Sequence, residues 1–379
     1  MNFKKINFFL FSAYAKVFYI TIILFLLLDI FFSNTFITNI IKKDCIKYIK
    51  YNSNSSNYYT YDLAKNCKAY ETKKTVKTYK VFTDNNGYRV SGKKNSNIDN
   101  GNSVVFLGDS FTYGFGLNYE NSVPGILESK KISYKTINLG VPGYSPTMLK
   151  FKLKKLLETG VKPKKIFYLM DLTDVHDESN RWIKINDIDY PVILDTEIEK
   201  EIKKVFNFKN HFKMTRLLIY NLNSFFRNIR KDLNKKKFEK KDKIIGKTLW
   251  GSFTHTSYDE LDKEFWSKND YKFGLKNIMV NVKSISEMAN SIGSEFYIVI
   301  YPWAETLQYG EEYFSWQKFS DELCKFSNCT KLINAFAEFN KIKNSFSYWK
   351  KEIYFLEDIH FNAKGNQLLA EVIYKAAFK

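Results

Sequence analysis

The sequence predicts an α/β domain in which helices cover both faces of a doubly wound, three-layer parallel sheet, carried behind an N-terminal transmembrane helix. Three observations predict it. Short apolar runs alternate with amphipathic helical stretches from about residue 103 to the end of the chain, the pattern of a parallel sheet whose strands are buried on both faces. One run ends in Gly108-Asp109-Ser110, which puts a serine at a strand's carboxyl end, where open parallel sheets bind ligands. Residues 17–32 are almost uninterruptedly apolar, and with residues 37–41 they approach the roughly 20 residues that cross a bilayer.

Taken in order, residues 1–43 read as a membrane anchor, broken only by Asp29 and by Ser33-Asn34. No small-residue cleavage site follows, which favours a retained signal anchor over a cleaved peptide. Lys4, Lys5 and Lys16 precede the span and Lys42, Lys43, Lys47 and Lys50 follow it, so basic residues do not set its orientation. The cysteines do so weakly. Cys45 with Cys67, and Cys324 with Cys329, form two sequence-local pairs that suit an oxidising compartment and an extracytoplasmic domain, the alternative being four free thiols. No Cys/His ligand spacing occurs, so neither a structural zinc nor a cofactor is expected.

Residues 44–78 are polar, with an N-S-N-S-S-N run at 52–57, and read as a tether. The folded domain is expected over 79–379. Strands are predicted at 103–107, 132–138, 165–170 and 295–301, and helices after Ser122 and at 147–157, 277–291 and 364–377. Between the halves, residues 179–270 form a Lys-rich insertion with a run at 235–243 and Trp182, Trp250 and Trp266. It reads as largely helical and able to cover the site, with a solvated spacer as the alternative.

With 45% hydrophobic residues over 379 positions the chain is a folding sequence and not a disordered one. Its 59 Lys+Arg against 40 Asp+Glu give a net charge of +19, which suits a polyanion or an anionic membrane surface. The lysines are spread along the chain, however, as compositional drift would spread them, and no nucleic-acid module accompanies them. With an anchor, lipid headgroups or lipid-linked glycan phosphates are the expected counterparts, and nucleic acid is not.

The second half of the chemistry lies at the far end, in residues 357–365, E-D-I-H-F-N-A-K-G. Asp358 stands two residues before His360, where it can fix the ring's tautomer while the other ring nitrogen takes a proton from Ser110. Glu357, three residues before His360, is a rival partner. Asp109 and Asn362 flank the site, and Asp174 lies in a third loop with Asp171 and Asp177, whose plain alternative is a solvated acidic loop. His176 in that loop is a further candidate for the cleft, whereas His211 and His255 fall in the insertion.

F-L-G-D-S-F-T-Y-G at 106–114, followed by D-x-H-F-N-x-x-G, resembles the SGNH hydrolases, also called the GDSL lipase/esterase family. The resemblance covers about 80–175 and 275–378 and implies a flavodoxin-like order of strands. It implies Ser110 as nucleophile, His360 as base and Asp358 as its partner. Residues 138–145, N-L-G-V-P-G-Y-S, are similar to the family's second block and point to Gly140 as an oxyanion donor beside the Ser110 amide. Asn86-Gly87-Tyr88-Arg89 is similar to a lead-in of membrane-anchored members. One block departs. Where the family carries G-x-N-D, this chain has Asp171-Leu172-Thr173-Asp174, so Thr173 stands in for an asparagine that donates to the oxyanion, with a shorter reach. The resemblance implies an esterase acting through an acyl-enzyme on acylated glycan or lipid, with an O-acyltransferase and a non-catalytic assembly protein as alternatives.

Overall fold

A computed structural model of the chain describes residues 3–35, 44–53, 56–71, 75–92, 102–130, 132–185, 188–192, 253–255 and 270–379, together with Thr215, Leu222 and Phe225. The chain divides into two units, one of Met1–Lys42 with Asp195–Leu233 and one of Lys43–Leu194 with Asn234–Lys379.

In the first unit α1 runs over Phe3–Thr35. Its stretch Tyr14–Phe31 has a mean hydropathy of 2.0 and is long and apolar enough to cross a membrane. Asp29 is buried in that unit and accepts the Thr215 amide at 2.6 Å, as a carboxylate in apolar surroundings requires. Most of the expected insertion, 179–270, lies outside the described residues. Its lysine run, Trp250, Trp266 and His211 lie outside the described residues.

The second unit is built on an eight-stranded sheet of order β12-β11-β8-β6-β7-β5-β4-β3. Its parallel centre comprises β6 (Ser103–Leu107), β7 (Lys135–Asn138), β8 (Lys165–Met170), β11 (Glu295–Ile300) and β12 (Lys331–Asn334). Numbered by occurrence, these five lie in the order 2-1-3-4-5 of a doubly wound sheet, whose switch point falls between β6 and β8. Their apolar runs are explained by burial on both faces: every residue of β6 and of β8 is buried. Phe106, Phe167 and Tyr297 stand in register on adjacent strands, and their rings stack at 5.0 and 4.9 Å across the sheet. The helices that return the chain between these strands are α3 (Val123–Ser129), α4 (Pro146–Glu158), α6 (Tyr271–Ser291) and α8 (Trp316–Ser327), and α11 (Ala363–Ala377) closes the fold.

Residues 44–71 differ from the tether expected of them. β1 (Ile46–Ser53) and β2 (Ser56–Leu63) form an antiparallel hairpin, and β3 (Lys68–Glu71), β4 (Tyr79–Thr83) and β5 (Arg89–Val90) extend the main sheet antiparallel beyond β7. The Cys45–Cys67 disulfide closes the base of the hairpin at a Cα separation of 5.8 Å, and Cys324–Cys329 bridges the end of α8. The polar composition hid an amphipathic order: Tyr61, Leu63 and Ala69 are buried beneath an otherwise hydrophilic run. A second hairpin, β9 (Ile183–Ile185) with β10 (Ile188–Val192), opens the insertion.

Candidate active site

Ser110 is the first residue of α2 (Ser110–Tyr113), a single turn directly after β6. Gly108 makes the turn possible. A Cβ there would collide with the Thr112 hydroxyl and press on the Leu169 carbonyl, and its φ of 156° suits glycine. Asp109 caps the turn, accepting the Phe111 amide at 2.9 Å. Arg89 fastens the other end of the turn. Its guanidinium is fully buried, donates to the carbonyls of Tyr113, Gly114 and Leu117, and lies 4.4 Å over the Tyr113 ring. Glu71 on β3 accepts the hydroxyls of Tyr113 at 2.8 Å and Tyr79 at 2.5 Å. The arginine of the N-G-Y-R segment thus holds the serine's turn in place.

His360 reaches the serine from the other end of the chain. It sits in the loop between α10 (Trp349–Ile353) and α11, closed by a bridge between Tyr354 and Phe361. Its Nε2 is 2.8 Å from Ser110 Oγ, and its Nδ1 is 2.5 Å from Asp358 Oδ1, which also accepts the His360 amide at 3.1 Å. Of the two acidic candidates it is Asp358 that meets the imidazole, while Glu357 is exposed at the tip of the loop with φ 59°. Burial opposes the Asp358 charge, but hydrogen bonds from His360, its charge, and the Thr75 hydroxyl outweigh it and hold the carboxyl below its ordinary range. Phe115 stacks on the imidazole at 4.2 Å and Phe111 lies at 4.9 Å, so the ring is shielded on its faces and open to hydrogen bonding at its nitrogens. Asn362 does not join this group. It caps α11, accepting the amides of Lys364 and Gly365 and donating to the carbonyls that end α10.

Two expected oxyanion donors are otherwise engaged. The Gly140 amide donates to Asn138 Oδ1 at 2.8 Å, and Asn138 Nδ2 in turn donates to the Thr112 carbonyl at 3.0 Å. In the turn 139–144 the amides of Leu139, Val141 and Tyr144 are also bonded. The Gly143 N–H carries no hydrogen bond to the described residues. Gly143 has φ 74° behind Pro142, the P-G signature of a turn that needs a positive φ at its third position, and a Cβ there would collide with Arg181 and the Tyr61 hydroxyl. Thr173 is likewise committed. Its hydroxyl donates to Asp171 Oδ1 at 2.5 Å and its amide to the same oxygen at 2.9 Å, because a short hydroxyl beside a buried carboxylate finds its acceptor locally.

The acidic loop is not solvated. Asp171 is buried and also accepts Trp303 Nε1 at 2.9 Å and the Tyr301 hydroxyl at 3.3 Å. Burial, and then the neighbouring Asp171, push the Asp109 carboxyl well up, and burial with Asp171 and Asp109 does the same to Asp174, which accepts the Tyr168 hydroxyl. Ser110 Oγ lies 3.1 Å from Asp109 Oδ2 as well as 2.8 Å from His360 Nε2. One hydroxyl proton cannot serve both. With Asp109 protonated, its carboxyl donates to Oγ and leaves the serine proton for His360. Among the described residues no cluster of side chains is arranged to hold a metal ion. His176 lies 3.7 Å from Asp177 on α5 (Asp174–Asn180), His255 is buried 3.9 Å from Glu305, and Trp182 donates to Ser145 at 2.8 Å. None of the three touches Ser110 or His360.

No protein-family model matches the chain, and no curated protein matches it. Solved structures do. An α/β hydrolase from the Lake Arreo metagenome is 10% identical with a TM-score of 0.39, over 74% of this chain and 96% of that one. A lipolytic protein of the G-D-S-L family from Veillonella parvula is 11% identical with a TM-score of 0.39, over 73% and 98%. A catalytic mutant of an acetylxylan esterase from Geobacillus stearothermophilus is 11% identical with a TM-score of 0.38, over 74% and 95%. Similarities of this size leave the activity to be read from the site: a serine, a histidine and an aspartate in hydrogen-bonded series on a mostly parallel α/β sheet.

Proposed function

We propose that the chain is an SGNH-type serine ester hydrolase, tethered to a membrane by its N-terminal helix and acting outside the cytoplasm on acylated glycan or lipid. The observation that carries this reading is the unbroken series from Ser110 Oγ through His360 to Asp358, at 2.8 and 2.5 Å. In the proposed reaction His360 takes the Ser110 proton as Oγ attacks the ester carbon, Asp358 stabilises the imidazolium, and the alkoxide leaves with that proton. The oxyanion is received by the Ser110 amide. Water then releases the acyl group and regenerates the serine. The disulfides and the apolar helix support the extracytoplasmic placement.

A second reading, transfer of the acyl group to a sugar hydroxyl, is supported by the aromatic cover over His360, since shielding from water favours an alcohol acceptor. The test is covalent labelling of the full chain with a fluorophosphonate, followed by turnover of p-nitrophenyl acetate with and without an added glycan. A Ser110 adduct, abolished in His360→Gln, with release of free acetate is the expected result. Folded protein that takes no label overturns the serine mechanism, and acetate recovered mainly on the glycan replaces hydrolysis by transfer.

A further inference from the structure

Asp358 divides its two oxygens between two partners. Oδ1 takes both bonds from His360, and Oδ2 takes the hydroxyl of Thr75. Thr75 comes from the loop between β3 and β4, in the stretch whose composition reads as a tether and which neither the serine motif nor the histidine motif includes. The residue beside Thr75 is well seated. Val76 is buried beside Gly116 of the serine's loop and Phe355 of the histidine's loop. β3 and β4 pair over four residues, from Lys68 with Phe82 to Glu71 with Tyr79, and the Cys45–Cys67 disulfide ties down the start of β3.

We propose that Thr75 is a positioning residue, a fourth member of the series Ser110–His360–Asp358, which holds the carboxylate in the plane that points Oδ1 at the imidazole. The inference rests on the hydrolase reading of the site. Its physical basis is that a partly buried carboxylate with one oxygen unpaired rotates or takes up water to satisfy it, and either movement lengthens the bond to His360. A threonine suits the position because its hydroxyl makes a charge-assisted bond from a short, β-branched side chain with few rotamers. Among the described residues, His360 supplies the charge that acts on Asp358, and Thr75 supplies the uncharged donor from the opposite side.

The sign of the expected effect follows. Thr75 bonds the ionised form, so its removal moves the titration of Asp358 to higher pH. The test compares Thr75→Val and Thr75→Ser in the full chain, with two measurements. The first is the titration of the Asp358 carboxyl carbon by NMR, assigned with Asp358→Asn. The second is the pH dependence of fluorophosphonate labelling at Ser110. Thr75→Val is expected to raise the Asp358 titration to a pH about one higher and to slow labelling about tenfold, the size of one charge-assisted hydrogen bond. Thr75→Ser is expected to restore both, and Thr75→Ala to behave as valine does. An unchanged Asp358 titration in folded Thr75→Val or Thr75→Ala overturns the proposal, as does equal slowing by valine and serine. Absence of labelling in the unaltered protein sinks the hydrolase reading instead, and the carboxyl titration still decides the role of Thr75.

Discussion

Two loops leave the same edge of the sheet, one after β6 and one after β8, and each carries an aspartate within two residues of the end of a fully buried strand. After β6, Asp109 is followed by a serine whose hydroxyl is within reach of a histidine from the far end of the chain. After β8, Asp171 is followed within two residues by a threonine whose hydroxyl turns back onto Asp171 itself. The two positions are alike in burial and unlike in company. Asp171 collects donors from Thr173, Tyr301 and Trp303, whereas Asp109 has the Phe111 amide and the Ser110 hydroxyl beside it and is driven toward its neutral form by burial and by Asp171. The difference teaches that a hydroxyl at the carboxyl edge is left for a histidine only when it is not the nearest satisfaction for a buried carboxylate.

The contrast can be broken outright by removing the reactive hydroxyl: Ser110→Ala is expected to lower kcat/KM for p-nitrophenyl acetate about 10³-fold or more, with an unchanged thermal midpoint. Next in size, Asp171→Ala strips the acceptor from Trp303 and Tyr301, and chemical denaturation is expected to show a loss of about 3 kcal/mol. Thr173→Asn sharpens the comparison by supplying an amide of longer reach. It is expected to raise kcat about tenfold, a part of what one oxyanion donor contributes, while Thr173→Val, deleting a hydroxyl that serves only Asp171, is expected to change kcat less than about twofold and to cost about 1 kcal/mol of stability. An equal collapse of kcat in Thr173→Val would return the threonine to the oxyanion.

The smallest effect concerns protons. Asp109 and Asp174 have raised folded-state affinities for a proton. The stability they contribute is therefore complete below the unfolded carboxyl range, about pH 4, and is lost as pH rises through their folded values. Asp358 has the opposite sign: its contribution is present above that range and is lost as pH falls through its lowered folded value. Asp174→Asn should flatten the decline on the alkaline side, read as the slope of unfolding free energy against pH. Asp109→Asn, which imitates the neutral carboxyl, should keep most of the activity; its loss would mean that the anion is needed.

Much of this was legible in the residues themselves. Ser110 follows a five-residue buried strand, a glycine and an aspartate, and Asp358 and His360 are two residues apart before a capped helix, so local sequence carries most of their geometry. The engagement of the Gly140 amide was not legible in the same way. It donates to the Asn138 side chain, whose own orientation is set by the Thr112 carbonyl 26 residues away. Arg89 was visible as a motif without a role, since its acceptors are carbonyls 24 to 28 residues away. The segment 44–71 was misread because polar residues outnumber the few buried aromatic and aliphatic side chains that dock it.

By itself the sequence determined the alternation that makes a parallel sheet, the apolar N-terminal helix, the cysteine pairs and the serine and histidine motifs that meet in the fold, because each of these is set by neighbours within a few positions. Only the tertiary structure decided which donors are free and which are spent, whether Asp358 or Glu357 meets the imidazole, and that Thr75 stands behind the chosen carboxylate. Those outcomes turn on a competition among hydrogen-bond partners that lie as far as 283 residues apart along the chain, and such a competition is settled by packing.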